Sequence, residues 1–487
     1  RYQPIPGTFD VNSGLLTQLT SRFSEQLRAT QESSNPNFDF GFTAGNQYDV
    51  GEGNKLGYLA SFSYKNSTTF YEDRQDGAFV RDQFDTSNNQ LILNRSSIGS
   101  EGTNNILLNG LAGVTFKTDL SKYKFTVMHI QNGESSGGFF NQNIAQGGGG
   151  TGIEPLTKDA LLYTERSVTN VLLHGTHSFG VDSDWDFNWK ISPTFSKVYD
   201  KDHRVTPLQE SQDGSFFISP SASTFPIRIW RWLLEESWAG KVDVSKKYTF
   251  GNRPAKVKFG GGYTYKFRDF NVDDFTFETS TLIVPGGDPN NLLQSGNLWT
   301  RENQSGTFLR FNNNFNPNDA YEGEQQIFAT YISNEFNLTE NFKTIIGLRT
   351  ELFNSFYTGQ DGTIVFDELD VLDEFDFFPS ANLIYALNDD SNLRGSYYRT
   401  TARPSFKEAS VSQIFDPITD RLFIGNIDLV PTYVNNFDLR YENFGEGGEM
   451  FAISGFYKDF TDPIENTFFL EAPTQIQPRN LGNAEVY

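Results

Sequence analysis

Alternation with a period of two residues recurs along almost the whole chain. From Trp185, one face carries Trp185, Phe187, Trp189, Ile191 and Phe195, while the other carries Asp186, Asn188, Lys190, Ser192 and Thr194. From Ala255, Val257, Phe259, Tyr263, Tyr265 and Phe267 stand opposite Lys256, Lys258, Thr264, Lys266 and Arg268. The same rhythm sets Phe342, Ile346, Leu348 and Leu352 against Lys343, Arg349 and Glu351, and Phe437, Leu439 and Tyr441 against Asp438, Arg440 and Glu442. Successive side chains of a strand point to opposite faces, so each stretch predicts a strand with one apolar and one charged face. A soluble sandwich and a membrane barrel both satisfy that pattern.

The connections separate the two. Short turns rich in Gly, Asn, Asp and Ser fall at 50–54, 119–122, 181–184, 337–341, 388–391 and 445–448. Long connections alternate with them, at about 72–103, 132–158, 200–227, 270–322, 355–374 and 401–433. Tight turns at one end and long loops at the other characterise outer-membrane barrels, and several alternating stretches exceed the roughly 9–11 residues a tilted spanning strand needs. The reading is therefore all-β: a transmembrane antiparallel barrel with short periplasmic turns and long extracellular loops. About fourteen strands are predicted, paired as 38–49 with 55–71, 104–119 with 123–135, 159–180 with 185–199, 229–246 with 254–269, 323–337 with 341–356, 375–388 with 391–402, and 432–444 with 449–461. One strand resists the pattern: Trp230, Trp232, Leu234 and Trp238 share their face with Glu236, which calls for a bulge or a different register. Residues 12–30, with Leu15, Leu16, Leu19, Phe23 and Leu27, predict a short amphipathic helix before the first strand.

Composition fits this picture. Only 37% of residues are hydrophobic, yet 15% are aromatic, with 47 Phe and 21 Tyr, as half-buried pleated surfaces favour. A net charge of -22 argues against nucleic acid as a partner. With no cysteine and four histidines, thiolate and imidazole chemistry is scarce. No run of 18 apolar residues predicts a spanning helix, which says nothing against a barrel.

The stretch from Thr400 onward carries a more specific signal: Arg403-Pro404-Ser405-Phe406, then Gly425-Asn426-Ile427-Asp428-Leu429-Val430-Pro431-Thr432, then Asn436-Phe437-Asp438-Leu439-Arg440-Tyr441-Glu442, then Gly455-Phe456-Tyr457-Lys458-Asp459-Phe460. In order and spacing these segments resemble the C-terminal half of TonB-dependent receptor barrels, and Leu481-Gly482-Asn483-Ala484 resembles the start of the next strand in that family. The resemblance implies a 22-stranded barrel around an N-terminal plug, so 1–487 reads as a barrel fragment lacking the plug and the closing strands, with two strands expected before Arg1 and six after Tyr487. It further implies a multi-pass protein of the cell outer membrane, in contact with its lipids, that imports a scarce solute (siderophore, cobalamin, glycan or peptide) by energised transport. The partners expected on that basis are an inner-membrane TonB-type energy-transducing complex, reached through the plug, and a surface lipoprotein lid. A passive porin-like channel and a structural or adhesion barrel in a surface-protein complex stand as alternatives.

Candidate chemistry is thin. Phe139, Phe140, Trp299 and Arg301 fall in predicted external loops, where aromatics either stack on a solute or pack loop on loop. Lumenal Arg349 and Arg440, with Lys256, Lys258, Lys266 and Arg268, either guide an anionic ligand or pair with Glu351, Asp438 and Glu442. His174 and His177 point to opposite faces of a strand and share no metal. The acidic run Asp367, Glu368, Asp370, Asp373, Glu374 and Asp376 reads as a solvated loop, without the order of a helix-loop-helix calcium site. Gly147–Gly150 lacks the Lys of a phosphate-cradling loop and reads as a flexible external loop. No nucleophile-elbow, H-E-x-x-H or Walker motif suggests an enzyme, and no cofactor or metal site is expected.

Overall fold

The computed structural model describes residues 5–81, 87, 89–145, 153–211, 213–219, 225–279, 283–310, 319–469, 472 and 474–487. The Gly147–Gly150 run lies outside the described residues. Fourteen long strands form one antiparallel meander: β1 (Phe38–Asp49), β2 (Lys55–Arg81), β3 (Leu91–Lys117), β4 (Ser121–Ala145), β5 (Ile153–Phe179), β6 (Trp185–Glu210), β7 (Ile227–Phe250), β8 (Arg253–Thr279), β9 (Tyr321–Asn337), β10 (Phe342–Asp361), β11 (Ile364–Asn388), β12 (Ser391–Ala402), β13 (Thr432–Phe444) and β14 (Met450–Thr461). A fifteenth, β15 (Asn483–Val486), begins where the sequence placed it and pairs with β14. The sheet does not close on itself: β1 pairs only with β2 among the described residues. Among the described residues no helix is long and apolar enough to cross a membrane.

The six short turns read from the sequence are present, and a seventh at 251–252, fourth in chain order, joins β7 to β8. Positive-φ residues make several of them, with Gly51 and Gly53 in the first and Gly251 and Asn252 in the fourth, where tight hairpins need that conformation. The outer face near these turns is a band of exposed apolar side chains, among them Phe62, Phe259, Tyr263, Ile332, Ile346, Leu352 and Leu439. Phe179 stacks on Trp185 at the periplasmic rim, 6.1 Å between centroids, as an interfacial aromatic girdle requires.

The opposite ends of the strands differ from expectation. Much of what the sequence presents as loop is continuous strand: β2 runs 27 residues, to Arg81 rather than 71, and β3 begins at Leu91 rather than 104. A strand of that length far exceeds the hydrocarbon thickness, so the wall rises well above the membrane as paired ribbon. The cause is the ladder itself, since β2 and β3 stay hydrogen-bonded from Lys55↔Lys117 to Arg81↔Leu91. Bulges interrupt this upper zone, between Tyr71 and Arg74, Leu161 and Thr164, Asp200 and His203, and Ser355 and Gly359. The acidic run likewise lies on β11 and not in a loop.

Glu236 needs no bulge. The ladders of β7 with β6 and β8 run unbroken through it, so it shares the outer face with Leu234 and Trp238, and all three are exposed. The predicted helix over 12–30 shrinks to α1 (Gly14–Thr20). The chain after it is held extended by side chains instead: Arg228 Nη1 donates to Ser24 O at 2.9 Å, Arg204 Nη1 to Gln26 O at 2.7 Å, and Asp159 Oδ1 accepts from Ala29 N at 3.1 Å. We call residues 24–36 the strap. Leu16 and Leu27 pack with Leu208, Ile218, Phe277, Leu292 and Trp299 in a core on the outer flank of β6 to β8.

Candidate functional site

The inner faces of the strands carry their polar residues inward, and one connection folds back among them. Residues 403–430, between β12 and β13, turn into the mouth of the sheet rather than away from it. Arg403, first of the R-P-S-F motif, anchors the start: its guanidinium donates to Glu351 Oε2 at 2.7 Å and Asp376 Oδ2 at 2.9 Å, and lies 4.5 Å from the centre of the Phe353 ring. Tyr433 OH donates to the other Asp376 oxygen at 2.6 Å. Such a fork between two carboxylates suits the planar guanidinium and not a lysine. Ser405 and Glu408 then bond reciprocally, Ser405 N to Glu408 Oε2 and Glu408 N to Ser405 Oγ. Phe406 is buried against Arg268, with the Gly323 backbone so near that an added Cβ would lie 2.4 Å from its ring.

Beyond this anchor, residues 413–416 and 421–424 form a small hairpin, extended by strands 475–480 and 464–468. Its tip reaches the far wall. Lys158 on β5, fully buried, donates to Pro417 O at 2.9 Å and Ile418 O at 3.3 Å and pairs with Asp420 at 2.5 Å. Gln142 on β4 donates to Ile418 O at 3.2 Å, and Arg231 on β7 to Phe415 O at 2.5 Å. Apolar packing fills the space between: Phe140, Val205, Ile227, Ile229, Phe270, Tyr321 and Tyr357 on the wall meet Val411, Ile414, Ile418 and Ile427 of the inward loop. The loop is thus a buttressed cap across the mouth, held by cations at both ends. Burial pushes the Lys158 ammonium below the usual lysine range, although Asp420 opposes the shift. Burial and the nearby Arg231 guanidinium do the same to Lys407.

Beneath the cap, on the lumenal side, lies a chamber of about 350 Å³ lined by Glu235, Lys266, Arg268, Gln325, Arg403 and Phe406. Arg268 is paired with Glu235 at 2.5 Å. Lys266 forms no ion pair among the described residues, so the chamber presents one uncommitted positive charge beside two guanidiniums. That donor set can hold a carboxylate or another oxyanion.

The residues singled out from sequence do not converge. Arg349 bonds Glu351 at 2.7 Å and Arg440 bonds Glu442 at 2.7 Å, so both are internally paired, the first beside Arg403 and the second deep in the lumen. Phe139 and Phe140 stand on β4, not in a loop, and as neighbours on a strand they face opposite ways: Phe140 lies inward, buried under Arg74 (5.6 Å), and Phe139 outward. Trp299 and Arg301 serve the outer flank. Trp299 is buried and its carbonyl accepts from Thr17 Oγ1 at 2.6 Å, while Arg301 donates to Val11 O and Ser13 Oγ. His177 accepts from Trp189 Nε1 at 3.1 Å, which leaves Nδ1 to donate to Ser121 Oγ at 2.9 Å. No group of three His, Asp or Glu among the described residues is arranged to hold a metal ion. Sequence reasoning missed Lys158, Gln142 and Arg231: the first two fall in a stretch read as loop, and only Arg231 lies on a predicted strand, on the face opposite Trp230 and Trp232.

Comparison with known proteins gives a consistent result. The family model described as TonB dependent receptor-like, beta-barrel matches residues 115–487. A search of curated proteins finds no match. Among solved structures, the ferric enterobactin receptor of Pseudomonas aeruginosa superposes with a TM-score of 0.51 at 13% identity, over 92% of this chain and 56% of that one. The hemophore receptor of Serratia marcescens, in complex with its hemophore and heme, gives 0.50 at 9%, over 92% and 59%. The ferric-catecholate import receptor of E. coli K12 gives 0.47 at 11%, over 94% and 62%. The chain spans about three-fifths of the length of these structures, and at such identities the likeness concerns the fold.

Proposed function

This chain belongs to the TonB-dependent receptor β-barrel family, and from that premise we propose that it is the wall and mouth of an outer-membrane receptor that imports a scarce solute by energised transport. The observation that carries the reading is the inward loop. A passive channel needs an open mouth, whereas here the family's own motif, Arg403 to Phe406, fastens a cap across it. A solute admitted past the cap meets the chamber of Lys266, Arg268 and Arg403. Of siderophores, cobalamin, glycans and peptides, those cations favour a solute bearing a carboxylate or similar anionic group. The outer-membrane location and the pull of a TonB-type inner-membrane complex belong to the same proposal, as does a surface lipoprotein seated over the long hairpins. No covalent chemistry on the solute is part of this proposal.

Growth and radiolabelled uptake test the reading, in cells expressing the full-length protein with and without the inner-membrane motor. Ferric carboxylate and catecholate chelates and short peptides are the probes. Uptake that requires the motor and falls at least tenfold in Lys266→Glu is expected. Motor-independent uptake, or steady ion conductance in a planar bilayer, would establish the passive channel instead.

A further inference from the structure

A second cavity lies outside the lumen. It has about 750 Å³ of volume, between the strap and the outer faces of β2 to β5. Outward-facing Asn66, Thr68, Ser100, Asn104, Ser135 and Phe139 line its wall. These positions sit at the upper limit of the roughly 9–11 residues that each strand spends in hydrocarbon. The cavity therefore opens sideways, immediately above the lipid, where an ordinary barrel wall would be featureless.

Its existence is built in. Gly102 and Gly137 stand where side chains would otherwise fill it: an added Cβ at Gly102 would meet only Phe70, at 3.6 Å, and one at Gly137 would meet Leu161 and Ala29 at 3.6 and 3.8 Å. The strap is held off the wall at one end by Asp159 and Arg204, and at the other Asn37 clips onto Thr68 through both its amide atoms. Between those fixings Thr30, Gln31, Ser33, Ser34 and Asn35 are exposed, and their side chains make no hydrogen bond among the described residues. A polar segment pinned at both ends, with its amides and hydroxyls uncommitted over a wall of further amides and hydroxyls, is a set of hydrogen-bonding groups lacking a partner. Phe70, about half exposed, and Phe139 add flat apolar faces.

We infer that this lateral cavity binds a neutral carbohydrate. Amides and hydroxyls both donate and accept, which matches vicinal sugar hydroxyls. The phenyl rings offer the apolar platform that the C–H face of a pyranose packs on. The lining contains no Lys or Arg, which disfavours phosphorylated or acidic glycans, and Glu32 at the strap would repel them. The site is independent of the solute path, because Phe139 and Phe140 face opposite sides of the wall. Its ligand comes either from a free oligosaccharide or from the sugar headgroup of an outer-leaflet glycolipid.

The test uses the full-length protein in nanodiscs. Free gluco-, manno- and galacto-hexaoses are titrated by calorimetry, and a phosphate-free glycolipid bearing the same sugars is built into the disc and followed by native mass spectrometry. Saturable binding of at least one neutral sugar is expected, weakened about tenfold by Phe139→Ala and abolished by Gly137→Leu, with motor-dependent uptake unchanged in both. Gly137 has no positive φ, and an added Cβ makes only ordinary van der Waals contacts with Leu161 and Ala29, so the leucine enters the cavity without opposing the fold. Binding of the free hexaoses identifies a soluble ligand, and binding of the glycolipid alone identifies a membrane-anchored one. The inference is overturned if no neutral sugar binds, if only phosphorylated glycolipid binds, or if Gly137→Leu leaves binding intact.

Discussion

Replacing Lys158 by methionine should release the cap without unfolding the wall. Methionine keeps most of the stem and removes the charge. Pro417 O loses its donor, Ile418 O keeps only the bond from Gln142, and Asp420 loses its counter-ion. Stranding a buried carbonyl costs about 1–3 kcal/mol, and breaking a buried ion pair from one side about 3–5 kcal/mol. Asp420 keeps 17% of its side chain exposed and can regain water, so the lower figure applies, about 3 kcal/mol. Each 1.4 kcal/mol is a factor of ten, so the population with the cap tip detached should rise roughly 100-fold. Hydrogen–deuterium exchange of the amides in 413–424 measures this directly, because local opening is what that exchange reports. The amides of β3 and β4 should keep their protection, being tied by a continuous ladder that does not involve Lys158. Lys158→Met with Asp420→Leu should recover most of the loss, since replacing both members of a buried pair by apolar groups is often near neutral. An exchange rate in 413–424 within threefold of the parent, or an acceleration spread evenly over the barrel strands, would refute the claim that Lys158 pins the cap.

Three further outcomes follow from the same geometry. Arg403→Lys keeps the charge but cannot bridge Glu351 and Asp376 as a fork, so the start of the cap should loosen by about 1–2 kcal/mol; unchanged exchange in 405–412 would sink this. Gly323→Ala places a methyl 2.4 Å from the Phe406 ring, so overpacking should cost about 1–3 kcal/mol, relieved when Phe406→Leu is added; equal melting temperatures for parent and single variant would contradict it. Asp159, under the strap, has its carboxyl pushed up from 3.8 to about 6, mainly by burial and further by Asp288, with the Ala29 amide and Arg28 opposing. A raised acid favours its neutral form in the docked state, so its contribution is whole below pH 3.8 and is lost as pH rises through about 6, a full swing of about 3 kcal/mol. Strap amides 26–31 should therefore exchange more slowly at pH 5 than at pH 7.5 after correction for intrinsic rates, and Asp159→Asn should abolish the difference; a persisting difference in that variant would assign the effect to another group.

What the sequence reveals and what it hides divide at the membrane surface. Near the periplasmic turns the outer face must be apolar and the inner face is wet, so alternation is enforced and every turn and strand there could be read, including the opposed faces of Arg349 and Leu348. Above the lipid neither face has an imposed polarity. Asn66 and Asn104 point outward, Phe140 and Ile227 point inward, and the bulge between Asp200 and His203 reverses the parity altogether. Alternation fades there while the hydrogen-bonded ladder continues, which is why ribbon was read as loop. The direction taken by residues 403–430 is hidden for a different reason. It depends on Lys158 meeting Asp420 across 262 positions of sequence, and on Arg403 finding carboxylates on two other strands. The R-P-S-F motif could be recognised as a marker, yet its role as an anchor is a property of those distant partners. The same holds for Lys266. Its place on the lumenal face follows from period two, but that it has no ion pair among the described residues while Arg268 beside it is neutralised by Glu235 follows only from the register of β7 against β8. A face can be assigned by local pattern, whereas an available charge is a difference between neighbours. For that reason the residue most worth mutating for transport was, in the sequence, one lysine among several.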